Sequence, residues 1–224
     1  MKKLFLSLVA ALLAVPTFAQ FGSGSTTLSK DNLYFGVRLG MTIASVGGEK
    51  GFLSDKVTPI KNDLGGKAGL TLAGIVGLRL SDSTPVFLES GLYYTQRGGK
   101  DGNLEVTYNN LEVPVLIKYG FEATPDIAIL PFIGPYFSYA VSGNTKQKEY
   151  ATFYSKEKTG TFDEDHAVTG GFKRPNMGIK VGCGAEWNML YLEVGYQFGL
   201  TNICKNDDFS AHSRALFANF GVNF

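Results

Sequence analysis

The feature that most constrains this chain is a two-residue alternation of apolar side chains, repeated in eight runs after residue 32. In the last run, positions 216, 218, 220, 222 and 224 hold Leu, Ala, Phe, Val and Phe, whereas the intervening positions hold Phe, Asn, Gly and Asn. A period of two places alternate side chains on opposite faces of a β-strand. The alternation therefore predicts strands at 33–43, 68–80, 86–97, 111–121, 128–141, 176–187, 190–200 and 214–224.

The second face of these strands differs from the polar surface of a soluble β-sandwich. It consists of glycine, aromatic residues and one or two charges per strand, as in Gly178, Lys180, Gly182, Gly184 and Glu186. A solvated face would be rich in Lys, Thr, Ser and Glu. Glycine next to large side chains suits the narrow interior of a small closed barrel.

The lengths of the connections also indicate a barrel in a membrane. Short turns at 81–85, 122–127 and 188–189 alternate with longer segments at 44–67, 98–110, 142–175 and 201–213. Outer-membrane barrels have short periplasmic turns and long external loops. We therefore predict an all-β fold, namely an eight-stranded antiparallel up-and-down transmembrane β-barrel.

The first 19 residues resemble a secretory signal peptide. Lys2 and Lys3 precede an apolar run from Leu4 to Val15, and small residues at Thr17 and Ala19 precede the expected cleavage site. The run is too short for a spanning anchor, which is the alternative. We expect a signal peptide at 1–19, a flexible leader at 20–32, an outer-membrane barrel at 33–224 and localisation in the outer membrane after export.

Charge gives no reason to expect nucleic acid as a partner. Of the 21 basic residues, removal of Lys2 and Lys3 leaves 19, against 20 acidic residues. Outer-membrane lipid is the predicted environment.

The inward faces carry charges of both signs, and these form the main candidate site. They can line a pore or a proton path, or they can form a salt-bridged plug. Eight strands enclose room only for side chains, and buried charges must pair. We predict a structural lumen network made of Arg38, Arg79, Glu89, Arg97, Glu112, Lys118, Lys180, Glu186 and Glu193.

Aromatic residues near the strand ends predict girdles at the two membrane interfaces. They are Tyr34 and Phe35, Tyr93 and Tyr94, Tyr119 and Phe121, Tyr136 to Tyr139, Trp187 and Tyr191, and Phe220 and Phe224.

Several segments resemble the PorT-like outer-membrane β-barrel proteins of Bacteroidetes, which belong to the porin families of small barrels. The closest segment is Y-N-N-L-E-V-P-V-L-I-K-Y at 108–119, and 36–40, 89–98, 131–136 and 194–203 also match. The resemblance covers 33–224 and implies fold and location, but it implies no activity and no tie to type IX secretion. The final Phe224 resembles the aromatic signal by which the barrel-assembly machinery recognises its clients.

Other candidate chemistry is sparse. The segment after the seventh strand contains Asn206, Asp207, Asp208, Ser210 and His212, and the long 142–175 segment contains Asp163, Glu164, Asp165 and His166. A triad requires geometry that spacing cannot supply, and the acidic run lacks the pattern of a calcium loop. We predict no catalytic residues, no metal and no cofactor, and no disulfide between Cys183 and Cys204.

These observations favour a non-enzymatic barrel with a largely plugged lumen and a structural or surface-interaction role, in which 142–175 could meet an extracellular or periplasmic protein. The alternatives are a narrow pore or secretion-associated barrel, a rim-site enzyme, and a soluble lipocalin-like barrel. The last requires the apolar face to point inward.

Overall fold

The computed structural model describes residues 33–50, 63–81, 83–101, 104–147, 158–160, 173–203 and 210–224. The signal peptide and leader predicted at 1–32 lie outside these residues. The described strands are β1 (Leu33–Lys50), β2 (Asp63–Arg79), β3 (Val86–Asp101), β4 (Leu104–Tyr119), β5 (Phe121–Thr124), β6 (Ile127–Gln147), β7 (Lys158–Gly160), β8 (Pro175–Trp187), β9 (Leu190–Gly199) and β10 (Ser210–Asn223).

Eight long strands close into one antiparallel barrel, so the predicted fold class is confirmed. Each long strand pairs with its neighbours in the chain, apart from the short β5 and β7, and β10 pairs with β1 to close the ring. Such closure leaves no edge strand in the barrel wall. Within the described residues, no helix is long and apolar enough to cross a membrane.

The two ends of the barrel differ. At one end, here called the terminal end, the barrel begins at Leu33 and β10 finishes at Asn223, and the turns are short. In the turn between β8 and β9, Asn188 has φ 54°, a left-handed conformation that asparagine tolerates. The other end is here called the hairpin end, because β1, β2, β3, β4 and β6 all continue there beyond the predicted strands.

The prediction of a long connection at 98–110 is therefore wrong. β3 continues to Asp101 and β4 begins at Leu104, so almost all of this segment is paired strand. Other predicted connections are also partly strand. The strands include residues 44–50, 63–67, 142–147 and 210–213. These extensions are paired in the ladder, which satisfies their backbone hydrogen-bonding groups.

Side chains alternate between the outer and the inner face of the barrel as the sequence predicts. Apolar residues such as Leu39, Met41 and Ile133 are more than half exposed on the outer face, whereas charged and aromatic residues fill the interior. A lipocalin-like ligand barrel has an apolar lumen, so this orientation contradicts that alternative.

The girdle prediction is wrong for four of its aromatic residues. Tyr34, Tyr93, Tyr136 and Tyr191 are at most 2% exposed and point into the lumen. Their strand parity puts them on the inner face, and that decides their orientation whatever their distance from the strand ends. The outward aromatic residues include Phe35, Tyr94, Tyr119, Phe121, Phe137, Tyr139, Trp187 and Phe220.

Glycines on the inner face make room for these tyrosines. A Cβ atom at Gly77 would overlap the ring of Tyr34, and one at Gly184 would overlap the phenol of Tyr191. Small residues opposite large ones allow a narrow interior to be filled without voids. The glycine-rich second face thus has a packing cause.

Candidate functional site

The candidate site is the filled lumen. Eight charged residues, four of each sign, are each at most 1% exposed inside it: Arg38, Glu89, Arg97, Glu112, Lys118, Lys180, Glu186 and Glu193. The ninth predicted member, Arg79, is half-buried at the end of β2, where its Nε donates to the Ser81 carbonyl at 3.0 Å. The structure therefore gathers eight of the nine predicted residues into one buried column.

One group of these residues, here called the terminal-end cluster, centres on Glu89. Its Oε2 accepts hydrogen bonds from Tyr34 and from Lys118 Nζ, each at 2.8 Å, and lies 3.8 Å from Arg38 Nη2. Lys118 also donates to the Tyr191 hydroxyl at 2.8 Å. Two strands, β1 and β4, thus supply the Glu89 carboxylate of β3 with two cations and a phenol.

Arg38 connects the terminal-end cluster to the last strand. Its Nη2 donates to Asn223 Oδ1 at 2.6 Å, and the amide of Asn223 donates to Glu186 at 2.9 Å. Its guanidinium carbon lies 4.0 Å from the centre of the Tyr191 ring. The cation is held by an amide, an aromatic face and a carboxylate together.

A second group, here called the hairpin-end cluster, consists of Arg97, Glu112 and Gln197. Arg97 on β3 contacts both Glu112 on β4 and the Gln197 side-chain oxygen on β9. The Gln197 amide donates to the other Glu112 oxygen at 2.6 Å. These three side chains form a ring across the lumen. The ring joins the neighbouring strands β3 and β4 to β9, which is far from them in the chain.

Lys180 and Glu193 lie between the two clusters. Lys180 Nζ is 4.3 Å from the ring centres of Tyr93 and of Phe217. Glu193 also accepts a hydrogen bond from the Asn219 amide at 2.7 Å. Lys180 thus packs between two aromatic rings in the lumen.

Apolar packing fills the rest of the interior. Buried side chains around Ile75, Phe87 and Leu130 form one group, and Leu116, Phe132 and Phe217 form another. Together with the charged residues they leave a packed lumen, as the size of an eight-stranded barrel requires.

The neutral partners Gln197, Asn219, Asn223, Tyr34, Tyr93, Tyr136 and Tyr191 were not included in the predicted network. All of them are at most 3% exposed in the lumen. Their position on the same strand face as the charges was the available signal. Their hydrogen-bond partners across the barrel were not visible in the sequence.

Within the described residues, the structure does not bring the other candidate residues together into a site. Ser210 and His212 belong to β10, whereas Asn206, Asp207, Asp208 and the acidic run at 163–166 lie outside the described residues. No group of metal-ligating side chains occurs within the described ranges. Cys183 is an exposed free cysteine on the outer face, and Cys204 is outside the description.

Comparison with known protein families gives a match over most of the chain. The model of the outer membrane protein beta-barrel domain matches residues 18–205. The chain belongs to this family. Family membership and the outward apolar face together identify a small β-barrel of the outer membrane.

Solved structures with similar folds have low sequence identity to this chain. Neisserial surface protein A is 15% identical, with a TM-score of 0.48 and coverage of 85% of this chain and 97% of its own. Ail of Yersinia pestis is 11% identical, with a TM-score of 0.39 and coverage of 87% and 100%. The N-terminal β-barrel domain of Pseudomonas aeruginosa OprF is 12% identical, with a TM-score of 0.39 and coverage of 87% and 98%. No curated protein matches the chain.

Proposed function

We propose that this protein is a non-conducting outer-membrane barrel that serves a structural or surface-interaction role through its hairpin end. The observation that carries the proposal is the set of eight buried charges in the lumen, which contact carboxylates, amides and aromatic rings in separate groups. Buried charges are tolerated when they are paired and hydrogen-bonded. A lumen that is filled in this way supports a plug and disfavours a pore.

The test is ion conductance of the purified, refolded protein in planar bilayers. The wild type is expected to give no stable openings. A matched variant, Glu89→Ala with Lys118→Ala, removes one charge of each sign from the terminal-end cluster and is expected to increase leakage. Frequent, stable openings of the wild type would rule out the plug, and a variant with no added leakage would argue against a role of the terminal-end cluster in closing the lumen.

Assignment to the PorT-like group of Bacteroidetes rests on the sequence resemblance, and its closest segment, 108–119, forms part of β4. We further infer export by residues 1–19, and an orientation in which the terminal end faces the periplasm and the hairpin end faces the exterior. This orientation follows the rule that short turns of outer-membrane barrels are periplasmic. Membrane fractionation with boiled and unboiled SDS samples tests export and folding, since a closed barrel migrates anomalously until it is heated. A soluble periplasmic protein with no shift would contradict the membrane barrel, and retention of the protein in the cytoplasm would contradict export.

Assembly through the last strand is also proposed. The Phe224 amide donates to the Phe35 carbonyl at 2.8 Å, and the Phe35 amide donates to the Phe224 carbonyl at 2.9 Å. Phe224 thus takes part in barrel closure. Phe224→Ala is expected to lower the amount of heat-shifting protein in the outer membrane. The matched substitution Phe220→Ala, on the same strand, is expected to lower it less, and equal losses would argue against a special signal at the end.

A further inference from the structure

The apolar outer face of the barrel ends sharply toward the hairpin end of β1 and β10. Ile43 and Leu216 are directly paired on these strands, and each is 52% exposed on the outer face. The next outward pair along the two strands is Ser45 with Arg214. The boundary of the apolar surface therefore lies between these two rows of side chains.

The length of β10 places this boundary at one surface of the bilayer. Counted back from the chain end, the outward positions 224, 222, 220, 218 and 216 are apolar, and position 214 is the first that carries a charge. A tilted transmembrane strand needs about 9–11 residues to cross the hydrocarbon core. Arg214 thus lies at the level where hydrocarbon gives way to lipid headgroups.

Arg214 reaches this level without a partner from the protein. Its side chain is exposed, and it makes no hydrogen bond or ion pair with any described residue. Its direct neighbour on β9 is Phe198, which is itself 44% exposed. An arginine in such surroundings keeps its stem on the apolar surface and extends its guanidinium to the headgroups.

Lys67 on β2 is another cation near this boundary, but its charge is neutralised within the protein. Its Nζ donates to Glu105 at 2.7 Å and also contacts Thr107. Among the acidic side chains that the structure describes, Glu105 is the one on the outer face at the hairpin end, and the others lie in the lumen or at the terminal end. The guanidinium of Arg214 therefore faces the membrane surface with its charge uncompensated by these carboxylates.

A histidine on the same face of β10 adds a second polar group. His212 is half-buried two positions before Arg214, so both side chains point outward. Its buried Nδ1 has no hydrogen-bond partner among the described residues. Since no described residue fixes the ring, the imidazole can turn an N–H donor toward a ligand that Arg214 holds.

We propose that Arg214 and His212 bind the phosphate headgroup of a lipid in the leaflet at the hairpin end. A guanidinium presents a planar fork of N–H donors that matches phosphate oxygens, and the imidazole adds one more donor. The acyl chains of this lipid lie against the exposed side chains of Ile43, Leu216 and Phe198. The proposal rests on the membrane barrel of the proposed function, and it does not depend on whether the lumen conducts.

The experiment uses the full-length protein folded in a non-ionic detergent. It is titrated with phosphatidic acid, whose headgroup is a single phosphate, and bound lipid is counted by native mass spectrometry. Diacylglycerol with the same acyl chains is the phosphate-free reference. Arg214→Gln is expected to weaken the binding of phosphatidic acid about tenfold or more, because hydrogen bonds to charged groups are strong, and to leave the binding of diacylglycerol unchanged.

The matched control is Lys100→Gln, which removes the same charge at the hairpin end. Lys100 is exposed near the tip of β3, well beyond the apolar Tyr94, and it makes no hydrogen bond or ion pair with any described residue. This control is expected to change the affinity for phosphatidic acid less than about twofold. His212→Leu removes the neutral donor and is expected to weaken binding about threefold.

Heat-dependent migration of each variant reports folding independently of lipid binding. Equal binding of phosphatidic acid and diacylglycerol to the folded wild type, or an equal loss in folded Arg214→Gln and Lys100→Gln, would overturn the proposal. Displacement of phosphatidic acid by an equal concentration of inorganic phosphate would also overturn it, because the acyl chains would then contribute nothing. A wild type without heat-dependent migration would instead contradict the membrane barrel itself, so the two failures are distinguishable.

Discussion

The two ion clusters of the lumen differ in how their charges are shared. In the terminal-end cluster, Glu89 faces two cations and a phenol from two other strands. In the hairpin-end cluster, Arg97 and Glu112 are each other's only ion-pair partner in the described part of the chain, and Gln197 bridges them. If one cation is lost, Glu89 keeps the other, whereas Glu112 keeps none. The terminal-end cluster is therefore redundant in cations and the hairpin-end cluster is not. Loss of one residue should therefore have different consequences at the two ends.

The largest effect is expected from Glu89→Gln. It removes the carboxylate that Arg38 and Lys118 share, and two buried cations then face a neutral amide. The free energy of unfolding, measured by urea titration in lipid vesicles, should fall by about 3–5 kcal/mol. The matched control Glu105→Gln breaks a partly exposed pair with Lys67 and should cost less than about 1 kcal/mol. Similar losses in the two variants would remove the distinction between lumen and surface pairs.

Arg97→Met should come next, with a loss of about 3 kcal/mol in the same titration, because Glu112 would stay buried with only the Gln197 amide as a partner. Adding Glu112→Met to this variant should recover part of the loss, since no charge is then left unpaired. A double variant less stable than Arg97→Met alone would contradict the account of the hairpin-end cluster.

Gly77→Ala tests the packing around the terminal-end cluster. An added methyl group would overlap the Tyr34 ring and push its hydroxyl away from Glu89, at a cost of about 1–3 kcal/mol in unfolding free energy. Gly66→Ala, where an added Cβ would come within 3.0 Å of only the Ile43 methyl group, should cost much less. If both changes cost the same, the cause would be strand propensity and not contact with the tyrosine.

Arg38→Met should have the smallest effect of the four, about 1–2 kcal/mol, because Glu89 keeps Lys118 at 2.8 Å. Comparison with Arg97→Met is the direct test of redundancy, since the same substitution is made in each cluster. A loss for Arg38→Met as large as that for Arg97→Met would show that the terminal-end cluster is not redundant.

Much of the fold could be predicted because alternation is a local property. The outward position of Leu39 and the inward position of Lys118 follow from parity within one strand. The extension of β3 and β4 through 98–110 could not be predicted, because these polar and glycine-rich strand segments lack the apolar alternation. The girdle prediction fails for Tyr34, Tyr93, Tyr136 and Tyr191 because strand parity, and not closeness to a strand end, decides whether a side chain points inward.

The sequence by itself determined that eight strands form a barrel with charges inside. Residues at alternate positions of a strand point to opposite faces, so the pattern of each strand decides which side chains point inward. Only the tertiary structure decided which charges meet. Gln197 lies 100 residues from Arg97 in the chain, and the closure and stagger of the barrel bring them into contact.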